Sequence, residues 1–212
     1  MKWLLVFDLD GTLIDSRADL AGAVNRVRKE FGVAPLSLER VTSFIGDGIA
    51  KLVERSFADV EVDGDVVLER YRVVYGEQSV NHTLLYPGVR EGLERLVKAG
   101  MRCAVLTNKP GAVSRAILEK LELMACLRGV VGAEDGFALK PSPAGLISLM
   151  NRMGVEPEHC WMVGDHHTDL LAGEAAGVRT AFAAYGFGTT GGAKPTAHFA
   201  SFSDGVEYFL RT

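Results

Sequence analysis

No apolar stretch in this chain approaches the roughly twenty residues that a membrane-spanning helix needs, so no membrane partner is expected. The opening residues hold one lysine and then the short apolar run of residues 3–7, with no cleavage pattern behind it. A secretory leader is therefore not expected, and the expected location is the cytoplasm. Cysteine is scarce. Cys103, Cys126 and Cys160 lie far apart, with no CxxC pair and no Cys/His ligand spacing. Cys103 and Cys160 sit inside apolar runs and read as small buried hydrophobes of a reducing compartment. Basic clusters are lacking too. The net charge is −4, and the positive face that a duplex binder uses to neutralise phosphates is missing. No nucleic-acid partner is expected.

What is present suits a folded domain. Hydrophobic residues make up 48% of the 212, which argues against disorder and is enough for one full core with a small inserted unit. Residues 3–9, 101–108, 160–165 and 178–185 are continuous β-rich apolar runs, and 129–134 is a weaker fifth. Runs without polar alternation fit strands covered on both faces, as in a parallel sheet. Helical patterns alternate with them at 89–99, 112–121, 144–153 and 168–176. Gly100 and Gly177 stand at expected C-terminal caps. The repeated strand–helix unit implies a doubly wound, Rossmann-like α/β core. Residues 15–85 break the rhythm with helical patterns at 18–31, 49–57 and 66–79. Seventy-odd residues exceed what a crossover needs, so the chain divides into a core of 1–14 and 86–212 and an inserted helical cap of 15–85. Residues 186–195 read as a flexible Gly-rich loop.

Four clusters of reactive side chains fall at strand ends or just beyond. The first run ends in Asp8-Leu9-Asp10-Gly11-Thr12. Open α/β sheets bind ligands at the carboxyl ends of their strands. Two carboxylates one residue apart face the same way there, and their mutual repulsion favours a hard divalent cation. Thr107-Asn108 ends the second run and offers a hydroxyl and an amide to phosphate oxygens. Lys140, in L-K-P-S-P, offers a compact positive charge in a loop stiffened by prolines. Asp165 and Asp169 follow the run 160–165. Each cluster alone has an ordinary explanation as a turn, a cap or a solvated charge; together, in one chain order, they point to a phosphate-handling centre. His166 and His167 are neighbours, so their rings are expected to point to different sides. An Asp-rich site prefers magnesium, and zinc is not expected.

This order resembles the four signature motifs of the haloacid dehalogenase superfamily. The residues that carry the likeness are DLDGTLIDSRADL (8–20), FIGDGIAKLVERSF (44–57), YPGV (86–89), LTNKP (106–110), KPSP (140–143) and GDHHTDLLAGEAAG (164–177). The insertion resembles a type 1 cap, and phosphoglycolate phosphatases are the subgroup most alike. The resemblance implies a phosphatase acting on a small phosphorylated metabolite through an aspartyl-phosphate. Asp8 would be the nucleophile and Asp10 the acid and base. Lys140, Thr107, Asn108 and Gly11 would hold the phosphate. Mg2+ would sit on Asp8, the Asp10 backbone carbonyl and Asp165, with Asp169 supporting. Arg55, and beside it Lys51, would face a substrate carboxylate from the cap. One departure is His166, where these proteins commonly have Ser. A phosphomutase, a phosphatase for sugar phosphates, nucleotides or pyrophosphate, a metal-free dehalogenase and a phospho-receiver domain are the rival readings.

Overall fold

The computed structural model describes residues 3–211. Strand β1 (Leu4–Phe7) is buried along its whole length, as its unbroken LLVF run requires. Its even residues, Leu4 and Val6, face one core with α7 (Ala144–Met153). Leu5 and Phe7 face the other, with α5 (Val89–Lys98), α6 (Gly111–Lys120) and α9 (Phe202–Leu210). Period-two alternation thus gives one strand two apolar neighbours. The sheet order is β5-β4-β1-β6-β7-β8, with β4 Arg102–Pro110, β5 Leu127–Ala133, β6 Cys160–Gly164, β7 Arg179–Ala183 and β8 Ala197–Phe199. Every pairing in it is parallel. The chain winds outward from β1 through β4 to β5, then returns to β6 on the other side of β1. That reversal opens a crevice at the carboxyl ends of β4, β1 and β6. Phe7 is in register with Val105 and with Val163, so β1 and β6 end at nearly one level while β4 runs on beside them to Pro110. Cys103 and Cys160 are free, buried and part of the two cores. Among the described residues no helix is long and apolar enough to cross a membrane.

The helical segment begins and ends side by side. Strand β2 (Ile14–Asp15) pairs antiparallel with β3 (Leu84–Leu85), and helices α1 (Arg17–Glu30), α2 (Leu38–Thr42), α3 (Ile49–Ser56) and α4 (Gly64–Gln78) lie between them. They bury a cluster of their own, which includes Val24, Val27, Val53, Val67 and Tyr71. Asp19 of α1 ties the returning chain down. Its carboxylate accepts from the backbone amides of His82 and Thr83 and from Thr83 Oγ1, at 2.7–3.0 Å. The short ribbon, α2, strand β8 and helix α9 are absent from the sequence-based reading. Helix α8 (His167–Ala175) completes the layer that packs on β6 and β7.

Candidate active site

The crevice gathers acids from two strand ends. Asp8 follows β1, Asp165 follows β6, and Asp169 lies in the first turn of α8. One carboxylate oxygen from each lies within 4.8 Å of the others, and all three residues are buried. Burial pushes the Asp165 carboxyl up to about 8, with the charges of Asp8 and Asp169 adding to it, although the amides of Gly188 and Phe187 pull it down. Burial raises Asp8 to about 6 against the opposing attraction of Lys140. Asp165 is held from two sides. Its Oδ2 accepts from the amides of Phe187 and Gly188 at 3.0 and 2.8 Å, and Thr12 Oγ1 donates to its Oδ1 at 3.4 Å. The Gly-rich stretch expected to be a flexible loop is therefore a collar around this carboxylate. Gly11 runs against the other side of Asp165 at φ +79°, where a β-carbon would overlap the carboxylate.

Lys140 is buried among these acids. Its Nζ donates to Asp169 Oδ1 at 2.6 Å and to the Leu106 carbonyl at 2.9 Å. It also forms an ion pair with Asp8 Oδ1 at 2.8 Å. Burial works against the ammonium, yet Asp169 and Asp8 outweigh it and hold its pKa above the ordinary value. Asp169 is fully committed, because its second oxygen accepts from the His166 amide at 3.0 Å. Asn108 clasps the lysine loop: its Oδ1 accepts from the Lys140 amide at 2.8 Å, and its Nδ2 donates to the carbonyls of Lys140 and Gly46, both at 3.0 Å. Its side chain is thus spent on positioning rather than free for a phosphate. Thr107 lines the cavity beside it.

Asp10 sits apart from the acidic trio. Lys109 Nζ donates to both its oxygens at 2.8 Å, and Ser16 Oγ donates to Oδ1. Over these groups lies a cavity of about 50 Å³, walled by Asp8, Asp10, Lys109 and, from the helical segment, Ile49, Tyr71 and Tyr75. Lys109, Tyr71 and Tyr75 were not singled out from the sequence. The signal for Lys109 was its place two residues after Thr107, which returns a side chain to the same side of an extended strand. For the tyrosines, the i, i+4 stripe on α4 was visible but reads as ordinary core.

Arg55 and Lys51 have partners outside the cavity, and the two histidines depart from the expected arrangement. Arg55 is turned aside from the cavity: it pairs with Asp47 at 2.6 Å and donates to the Phe44 carbonyl, and it forms no part of the wall. Lys51 pairs with Glu54 on the surface at 2.7 Å. The imidazoles of His166 and His167 do not point to different sides; their centroids are 4.1 Å apart, and with Asp47 they form a second cluster. The cause is a helix start. His166 is extended as the N-cap residue while His167 opens α8, so the chain turns between them instead of alternating. The His166 ring lies against Gly46, at 2.7 Å from where a β-carbon would stand.

Residues 5–183 match the model of the haloacid dehalogenase-like hydrolases. The chain belongs to that family. It is 38% identical over 193 residues to phosphoglycolate phosphatase 1 of Pseudomonas aeruginosa, covering 87% of this chain and 70% of that one. It is 40% identical over 191 residues to the phosphoglycolate phosphatase of Nitrosospira multiformis, covering 86% and 83%. The crystal structure of a "predicted phosphoglycolate phosphatase" from Haemophilus somnus 129PT superposes with a TM-score of 0.93 at 30% identity, over 98% of each chain.

Proposed function

We propose that this protein is a Mg2+-dependent phosphatase that hydrolyses a small phosphate monoester of the phosphoglycolate type through an aspartyl-phosphate on Asp8, with residues 15–85 acting as its cap. The observation that carries the reading is the buried meeting of Asp8, Asp165 and Lys140 at three neighbouring strand ends and loops. The donor set fits magnesium: hard carboxylate oxygens of Asp8 and Asp165 converge in a buried crevice. Asp8, Asp165 and the Asp10 backbone carbonyl would hold the ion, leaving Asp169 to its bonds with Lys140 and His166. Bound magnesium supplies charge neutralisation between the nucleophile and the dianionic phosphate.

The remaining steps belong to the side chains. An oxygen of Asp8 attacks phosphorus, and the bond to the substrate's ester oxygen breaks. Asp10, positioned by Lys109 and Ser16, gives that oxygen a proton and later takes one from the water that cleaves the acyl phosphate. Lys140 and Thr107 meet the equatorial oxygens, where transition-state charge resides. Release of inorganic phosphate from 2-phosphoglycolate, with and without EDTA, tests the whole reading. Asp8→Asn should abolish turnover with the melting temperature preserved. Turnover within a few-fold of wild type in that variant, or undiminished in EDTA, would refute it.

A further inference from the structure

Tyr71 and Tyr75 are buried to within 2% of complete, and neither hydroxyl has a hydrogen-bond partner among the described residues. A buried hydroxyl without a partner costs about 1–3 kcal/mol, and phenylalanine would fill the same space without that cost. Two such hydroxyls four residues apart on one face of α4 are therefore an expensive choice. Ser56 Oγ and Trp161 Nε1 are also unpartnered, but neither residue lines the cavity, whereas both tyrosines do. The two rings stack at 5.7 Å with planes 11° apart, and Lys109 Nζ lies 4.9 Å from the Tyr75 centroid. Burial raises both phenols well above their ordinary pKa, so each keeps its proton to donate.

We propose that Tyr71 and Tyr75 form the subsite that reads the substrate's second, non-phosphoryl end, and that this end is a carboxylate. The inference rests on the phosphatase reading above and adds the residues that choose the substrate. The wall facing Asp8 offers donors: two phenolic O–H groups and the Lys109 ammonium. The part of the wall that comes from residues 15–85 holds no carboxylate, and its polar side chains are the two phenols. A carboxylate accepts from both phenols at once and carries the charge that the neighbouring ammonium favours. The apolar Ile49 and Leu52 beside the tyrosines and a volume of about 50 Å³ favour a short acid over a bulky one.

Ethyl phosphate matches 2-phosphoglycolate in length but has a methyl group where the latter has its carboxylate. The full chain with Mg2+ should prefer phosphoglycolate. Tyr71→Phe and Tyr75→Phe should each lower kcat/KM for phosphoglycolate about tenfold relative to ethyl phosphate, the effect of one lost hydrogen bond to a charged group. The ligand-free variants should melt at or above the wild-type temperature, because each substitution removes an unsatisfied group. A parallel fall on both substrates, no fall on either, or a lower melting temperature would overturn the subsite. A wild-type protein equally active on both esters would also overturn it while leaving the phosphatase reading intact. Failure to release phosphate from either would refute the phosphatase reading itself.

Discussion

At Gly11 the backbone takes φ +79°, and a β-carbon there would stand 2.1 Å from Asp165 Oδ2. Gly11→Ala therefore adds about 1–3 kcal/mol of backbone strain and pushes the carboxylate out of its collar. The expected result is a lower melting temperature together with weaker Mg2+ binding by calorimetry; a variant matching wild type in both would show that Asp165 moves at no cost. The sequence disclosed Gly11 and the acids because a short motif carried them at one strand end. Lys109, Tyr71 and Tyr75 were hidden for a physical reason. A lysine beside a proline and two tyrosines in an apolar stripe have ordinary uses, and only the fold shows that they share a cavity. Arg55 is the opposite case. Its charge suited a carboxylate, but Asp47, eight positions back, claimed it first.

The sheet was largely readable at the level of elements, since β1 and β6 are buried throughout, β4 and β7 mostly so, and all four appear as largely apolar runs. Strand β8 was not, because Ala197–Phe199 is three residues long and lies at the sheet's edge. The ribbon of β2 and β3 was missed too, because two-residue strands carry no period. What fastens that ribbon is Asp19. Burial raises its pKa, but the bonds from His82 and Thr83 outweigh this, and the carboxyl is held below its ordinary value. A lowered folded pKa means that the stabilisation is present above the unfolded value and lost as pH falls through the folded one. Asp19→Ala strands several donors, a loss of about 1–3 kcal/mol. Amide exchange should quicken in residues 79–85 while β1 and β6 stay protected; unchanged exchange there would show that the strut bears no load.

Over the whole molecule, the acids that hold the centre together also destabilise it. Asp8 near 6 and Asp165 near 8 both stand above the ordinary 3.8. Raised folded values give stability that is full below the unfolded pKa and is lost as pH rises through 6 and then 8. The metal-free protein should therefore melt progressively lower from pH 5 to pH 8.5. Magnesium, which binds the ionised forms, should raise the melting temperature more at pH 8 than at pH 5 and release protons as it binds. Differential scanning calorimetry with and without Mg2+ checks both, and a trend of opposite sign would show that the carboxylates are ionised without help. The acids, the lysine and the parallel core were legible as an order along the chain. Their meeting was not, because it depends on the reversal of winding beside β1. The ribbon that starts and closes the helical excursion gives the molecule one more property. Its two ends emerge as adjacent rungs, so the span between them is a loan from the sheet's point of view, replaceable by a longer, shorter or differently shaped excursion without shifting a single rung. Under the proposed reading, the residues between Asp15 and Leu84 can then differ in length and shape while the strands keep the acids where they are.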